Sequence, residues 1–467
     1  ALVFLAALRA GIVVAPLAPS STAAGLRSML HDAEAKLLFV DAEVAALLNA
    51  APDTGEQLPA RIALDDSAAG QRFDDWLADA HAAPVAVTVQ PQHPFNIIYS
   101  SGTTGIPKGI VHSHGMRWRQ VSFRSAQNYG PASRSLLSTP LYSNTTLVTF
   151  LPTMFSGGYV SIMGKFDAEK WLERAQAERI THTMLVPVQY RRLMQFPQFD
   201  QYDLSSLRMK FCTSAPFPAE LKAEVLARMP GGLVEYYGMT EGGVSCILMA
   251  HEHPDKLHTV GQPAPGHGLK VIDENLQEVP PGTPGELVGR SNVMMLGYKN
   301  QPEKTREGYW TDPVDGSIWQ RMGDVGRIDA EGFVELVGRT KDVIISGGFN
   351  VFPIDLEMEL AKDERVVEAA STVFEDTEES NTSWTRVKRD SSDALRDYVV
   401  DFPRASNAET ARSLLRVMDA QAWVSAVTAD NEGGYQAYLK EFPVDASTPG
   451  AMAAAPPSSS SFSFSSG

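Results

Sequence analysis

The ten residues SSGTTGIPKG (100–109) follow directly on the apolar run FNIIY and hold three glycines, four hydroxyls and one lysine. Such a segment has almost nothing to bury, so it must be a loop whose backbone N–H groups stay accessible. Accessible amides, hydroxyl donors and a single ammonium together make a cradle for a phosphate. The Walker A loop needs Gly immediately before its Lys. Here Pro107 stands in that place and Gly109 follows Lys108, so spacing excludes that loop.

The sequence around the loop alternates between two periods. ALVFLAALRAG and LRSMLHDAE read as short helices, and IVVAPL and KLLFV as the strands that follow them. After the Pro-punctuated connector HAAPVAVTVQPQHP the rhythm continues to about residue 270. KFDAEKWLERAQAERI is an amphipathic helix before the strand THTMLVP, and AELKAEVLARM leads into GGLVEYYGMTEGG. Helix and strand in alternation predict parallel α/β packing. Between about 265 and 340 short strands separated by Gly, Pro and Asp turns predict a β-rich part. A chain of 467 residues exceeds one core, so two or three domains are expected.

A net charge of −16 argues against a nucleic-acid or anionic-membrane binder. Cys212 and Cys246 are the only cysteines, too few for a disulfide framework or a CxxC metal pair, which suits a reducing cytoplasm. The apolar opening lacks a basic n-region and Arg9 interrupts it, so it reads as a buried helix rather than a signal peptide, and no membrane span is expected. His251, His253, His258 and His267 lie close together in sequence. Their spacing matches no standard ligand set, and a polar surface loop is the expectation.

The loop resembles the phosphate loop of the adenylate-forming superfamily of acyl-CoA synthetases, luciferases and peptide-synthetase adenylation domains. Four more stretches follow in that family's order. TSAPFP (213–218) is similar to its adenine-side turn, and YYGMTEGG (236–243) to its Tyr-Gly-x-Thr-Glu motif. RMGDVGRID (321–329) resembles its ribose motif, with Met322 where Thr is usual, and GRTKDVIISGGFNVFPIDLE (338–357) its hinge. The resemblance implies an α/β fold with a large AMP-binding domain over 1–339, built of α/β subdomains and a β-rich subdomain. An incomplete small α+β lid domain would follow over 340–376.

The resemblance also implies roles. Ser101, Gly102, Thr103, Thr104, Gly105 and Lys108 would hold the β- and γ-phosphates of ATP. Ser214, Ala215, Pro216, Tyr237 and Gly238 would line adenine. Thr240 would meet the α-phosphate, with Glu241 and Thr103 on Mg²⁺ as oxygen ligands suited to a hard cation. Asp324 would accept both ribose hydroxyls, since a carboxylate is a bidentate acceptor, with Arg339 on ribose or phosphate. Lys341 aligns with the hinge between half-reactions, and Gly347 and Gly348 would let the pantetheine of coenzyme A pass close to the backbone. Lys108, Thr240, Glu241 and Lys341 are the expected catalytic set.

The acid pocket would be formed by Tyr142, Ser143, Asn144, Val188, Gly238, Met239 and Gly243. No Asp stands where amino-acid-activating relatives anchor an ammonium, so the expected substrate is a carboxylic acid with an apolar or aromatic body, fatty or aromatic. The reading is an acid–thiol ligase.

Two departures from the family pattern carry expectations of their own. Relatives carry some fifty or more residues ahead of the ALRAG helix, so an N-terminal truncation is expected. After about Phe374 the pattern stops, and the only lysines beyond Lys341 are Lys362, Lys388 and Lys440, none in the Pro-x-Gly-Lys segment that relatives use in adenylation. YVVDFP (398–403) and YLKEFP (438–443) recur 40 residues apart. They predict helical repeat-like units over 391–445 that bind a protein partner, with a disordered tail over 446–467. Impaired turnover is the expectation, and the alternative is a non-catalytic nucleotide or acyl-adenylate binder.

Overall fold

A computed structural model describes residues 1–50, 58–79, 81–100, 107–122, 127–340, 344–346 and 349–351. They fall within one compact unit, Ala1–Asp355. The repeat-like units at 391–445, the tail at 446–467 and the lid assignment beyond 351 lie outside the described residues.

The centre of the unit is a seven-stranded sheet. From one edge its order is Gln262–Pro263, Gly242–Met249, Gly232–Met239, Met209–Cys212, His182–Leu185, Arg134–Leu137 and Tyr159–Ile162. The last five pair in parallel, and the first three are joined antiparallel. Parallel strands need helical crossovers and are covered on both faces. Accordingly His182–Leu185 and Met209–Cys212 are buried at every residue. The covering helices start where the sequence supplies caps. Asp167 accepts from Lys170 N at 3.0 Å to begin Ala168–Ala177, and Pro187 occupies the first turn of Pro187–Met194. Trp171, Leu172, Tyr190 and Leu193 from these helices form the core with Phe217, Leu221 and Val225.

A smaller all-parallel sheet, Leu37–Val40, Ala60–Ala63 and Gln71–Arg72, carries the helices Ala23–Asp32 and Ala42–Ala50. The helix–strand rhythm of the first ninety residues therefore appears as expected, except at IVVAPL. That stretch makes only one bridge, Val14 with Asn96. Pro16 and Pro19 lack the N–H groups that a longer ladder would need.

The turn-rich region folds as antiparallel strands Gly268–Ile272, Gly285–Arg290, Ile318–Ile328 and Tyr309–Thr311, with Val334–Arg339 also paired to Ile318–Ile328. A second antiparallel sheet joins Pro94–Ser100, Lys108–Ser113 and Gly297–Tyr298. It holds both ends of the phosphate-loop sequence, whose residues 101–106 lie outside the described set. Ile344–Ser346 and Phe349–Val351 form a separate hairpin. Among the described residues no helix is long and apolar enough to cross a membrane.

Under the seven-stranded sheet lies a buried ion pair. Lys222 Nζ sits 2.5 Å from Glu235 Oε2 and donates to the carbonyls of Leu257 (2.8 Å) and Thr259 (2.9 Å). Burial pushes the Glu235 carboxyl up to about 7, with Lys222 pulling the other way. Both cysteines are free and buried nearby in the sheet, Cys212 beside Glu235 in register and Cys246 beside Tyr237.

Removing one partner of such a pair strands the other, at about 3–5 kcal/mol, whereas removing both leaves no charge to desolvate. Lys222→Met should therefore lower the urea midpoint sharply, and adding Glu235→Leu should recover most of the loss. Additive losses in the double variant would mean that the two groups are not coupled.

Candidate functional site

The strands Gly232–Met239 and Gly242–Met249 are joined by a two-residue tip, Thr240–Glu241. Their register shifts between Gly238 and Met239, and Gly242 and Gly243 adopt φ of +92° and +85°. A Cβ on Gly242 would lie 2.2 Å from the Val293 carbonyl oxygen, so only glycine fits. The tip is held from outside by its backbone and by a side chain. Met295 N donates to Glu241 O at 2.8 Å, and the Tyr298 hydroxyl donates to Glu241 Oε1 at 2.8 Å. Tyr298 is paired with Ile110, two residues from Lys108, and Lys108 Nζ lies 5.4 Å from the centre of the Tyr298 ring. Lys108, Tyr298 and Glu241 thus form one line.

Preceding the tip, the half-buried Tyr237 donates its hydroxyl to Asp324 Oδ2 at 2.8 Å. Asp324 belongs to the neighbouring antiparallel sheet, where its register partner is Arg339. Arg339 Nε stands 3.4 Å from Asp324 Oδ1, but its side chain is 62% exposed, so water screens that pair. Burial and the adjacent carboxylates raise both tyrosine hydroxyls well above the usual range, Tyr237 beside Asp324 and Tyr298 beside Glu241. Each therefore stays a protonated donor. A carboxylate offers about four acceptor positions, so Asp324 can accept from more donors than the Tyr237 hydroxyl alone.

Of the expected acid-pocket residues, Ser143 caps the helix Asn144–Phe155, accepting from Thr145 N at 3.3 Å. Asn144 Oδ1 accepts from Arg117 Nη1 at 2.7 Å. Thr145 Oγ1 meets Ser214 Oγ at 2.5 Å, joining the pocket helix to the adenine-side turn; Ser214 itself has φ of +80°. Ala215 and Pro216, next in the chain, are exposed, as is Gly238, and Tyr142 is half-buried. Met239 packs against the cluster of Val244, Leu287 and Met322. Val188 is 53% exposed and makes no described contact with the others. Ser101, Gly102, Thr103, Thr104, Gly105, Lys341, Gly347 and Gly348 lie outside the described residues.

Three side chains not singled out in the sequence stand among these groups. Tyr298 holds Glu241, as above. His112 Nε2 lies 2.7 Å from Thr240 O, and Arg117 Nη2 lies 2.7 Å from His112 Nδ1. Both are buried. Desolvation and the Arg117 charge hold His112 well below its ordinary value, and burial brings Arg117 down to about 9. The imidazole is neutral and the guanidinium still charged at neutral pH. Strand alternation offered a sign for His112, which shares a face with Lys108. Arg117 had none beyond its place in a short helix. Of the four weighed histidines, His267 accepts from Ser245 N at 2.9 Å, and His253 packs on Phe333.

This motif order, fold and geometry define the adenylate-forming class. The family model described as AMP-binding enzyme matches residues 1–299, and the chain belongs to that family. Feruloyl-CoA synthases of an Amycolatopsis and a Streptomyces species are 35% identical over 269 residues, 56% of this chain and 53% of theirs. The chain thus spans about half the length of those curated relatives. The indoleacetate–CoA ligase of Aromatoleum aromaticum is 33% identical over 357 residues, 74% of this chain and 67% of that one. Among solved structures, the amide bond synthetase McbA from Marinactinospora thermotolerans superposes with a TM-score of 0.67 at 27% identity, covering 77% of this chain and 71% of that one. ATP-bound MatB from Rhodopseudomonas palustris gives 0.66 at 29% identity, covering 77% and 70%.

Tyr237→Phe deletes a donor to a largely buried carboxylate, where a hydrogen bond to a charged group is worth about 1.5–3 kcal/mol. Asp324 is 16% exposed and water can partly replace the hydroxyl, so the loss in urea unfolding should fall in the lower half of that range. An unchanged midpoint would mean that this bond does not join the two sheets.

Proposed function

We propose that this chain activates a carboxylic acid with ATP and passes the acyl group to coenzyme A. A carboxylate oxygen attacks the α-phosphorus, the bond to the β-phosphate breaks, and pyrophosphate leaves with the electron pair. The thiol sulfur then bonds to the acyl carbon of the acyl-adenylate, AMP leaves, and the thiol proton passes to solvent. The observation that carries this reading is the continuous run Tyr237–Glu241. It presents a flat ring bonded to Asp324, then the tip that faces Lys108.

In this reading Asp324 accepts the ribose hydroxyls and Tyr237 flanks adenine while orienting Asp324. Lys108, with residues 101–105, neutralises the β- and γ-phosphates, and Thr240 meets the α-phosphate. Fixed donors and cations where charge develops are what lower such a barrier. Among the described residues no three His, Cys, Asp or Glu side chains converge. That suits Mg²⁺, which keeps its waters and binds through one or two carboxylates plus substrate phosphates. Glu241 would hold it, since Tyr298 occupies one carboxylate oxygen and leaves the other; when bound, the ion offsets phosphate charge. The acid would enter between Asn144 and the Gly238–Gly243 segment. The names of the feruloyl and indoleacetate relatives support an aromatic or otherwise apolar acid.

A finer reading concerns the first half-reaction. The 467 residues contain no Pro-x-Gly-Lys segment after Lys341, and a cation at the reacting phosphate is worth about 3–4 kcal/mol. We therefore propose that these residues alone adenylate slowly yet still use a ready-made acyl-adenylate.

Lys108→Ala and Asp324→Ala should each weaken ATP binding by about 1.5–3 kcal/mol in calorimetry, the range for hydrogen bonds to charged groups. Unchanged affinity in both variants would overturn the nucleotide reading. Pyrophosphate release from ATP with a panel of acids should lag behind coenzyme A consumption from synthetic acyl-AMP. Rapid ATP-dependent turnover would instead mean that another cation serves the α-phosphate, and the slow-adenylation reading would fall.

A further inference from the structure

We infer that His112 is a positioning residue that sets the Thr240–Glu241 tip against Lys108, and that Arg117 extends the same hold to Asn144 at the mouth of the acid pocket. The inference rests on the nucleotide reading above and adds to it two residues that touch no substrate.

The argument begins with the strand Lys108–Ser113. Side chains alternate along a strand, so Lys108, Ile110 and His112 share one face. That face looks onto the tip, with Lys108 over the Tyr298 ring that bonds Glu241 and His112 against the Thr240 carbonyl. The tip lies between the paired residues Met239 and Gly242, so Thr240 O stands outside the hairpin's own ladder. The His112 imidazole approaches it at 2.7 Å.

Donor and acceptor matching fixes the state of that imidazole. A carbonyl only accepts, so Nε2 carries the hydrogen. A guanidinium only donates, so Nδ1, 2.7 Å from Arg117 Nη2, is the acceptor. A single tautomer satisfies both neighbours. Arg117 uses its remaining edges as fully. Nε donates to the buried Asn96 Oδ1 at 3.1 Å, and Nη1 to Asn144 Oδ1 at 2.7 Å and Gln120 Oε1 at 2.9 Å. His112, Arg117 and Asn96 are almost wholly shielded from water, so these partners are not replaceable by solvent. One guanidinium therefore ties the first residue of the pocket helix to the backbone of the phosphate-facing tip.

The test separates the two ends of the nucleotide. Adenosine would engage only the Tyr237–Asp324–Arg339 end, whereas ATP with Mg²⁺ also needs the tip. Calorimetry on His112→Leu should give a loss of about tenfold or more for MgATP, the worth of one buried hydrogen bond. Adenosine affinity should stay within about twofold of wild type. His112→Gln, whose amide N–H can reach the same carbonyl, should recover most of the MgATP affinity. Equal losses for both ligands, or no loss for either, would overturn the positioning role while the nucleotide reading stands. Wild-type protein that binds neither ligand would overturn both. Should His112→Leu not fold, Arg117→Lys reads the same hold. A lysine keeps the charge but cannot span Asn96, His112 and Asn144 at once, so the same selective MgATP loss is expected. Wild-type affinity in that variant would overturn the inference.

Discussion

The hydrogen bond from Tyr237 to Asp324 joins the central sheet to the antiparallel sheet beside it. Its strength comes from what surrounds it. Tyr237 packs at the margin of an apolar cluster that includes Val244 and Cys246 from one sheet and Leu287, Met322 and Val334 from the other. A carboxylate there needs a donor, and a phenol there needs an acceptor. Each makes the other tolerable, and the face between the sheets is set by that mutual need. The hairpin tip at Thr240–Glu241 follows only three residues later. Its place is therefore a consequence of how the two sheets meet, trimmed by Gly242 and Gly243 in the left-handed region.

Much of this architecture was readable in the chain itself. The strand expected at THTMLVP forms as His182–Leu185 and is buried at every residue, the polar side chains of His182 and Thr183 included. The helix 168–177 shows its buried stripe as Trp171, Leu172 and Ala175. The motif residues Tyr237, Asp324 and Arg339 were separated by up to about a hundred positions, yet a resemblance in motif order anticipated that they belong together. IVVAPL was misjudged because apolar content outweighed the missing N–H groups at Pro16 within it and Pro19 just after it.

The support behind the motifs was much less legible. Tyr298 sits in a loop sequence, LGYKN, that carries no periodicity, and it reaches Glu241 only because Gly297–Tyr298 adds a short strand beside Lys108–Ser113. Arg117 belongs to a helix, HGMRWRQVS, in which Arg117 and Arg119 look equivalent. One is buried in a network of four partners, while the other reaches the Asn292 carbonyl at the surface. Propensity and composition cannot separate two such residues, because the difference is made by Asn96 and Asn144 arriving from other elements. Long-range polar matching of this kind leaves no local pattern.

The two cysteines give the unit a property of a different kind. Cys212 lies at the middle of the parallel strands and Cys246 in the antiparallel pair that bears the hairpin tip, and burial holds both thiols well above their ordinary range. A thiolate is the reactive form, and neither sulfur is open to water. The chain has no other thiol, so alkylation chemistry sees the native unit as silent. Any label it takes up records a moment when a strand has parted from its neighbours. Two sulfurs on two differently bonded strands then act as separate clocks, one for the parallel core and one for the edge beside the site.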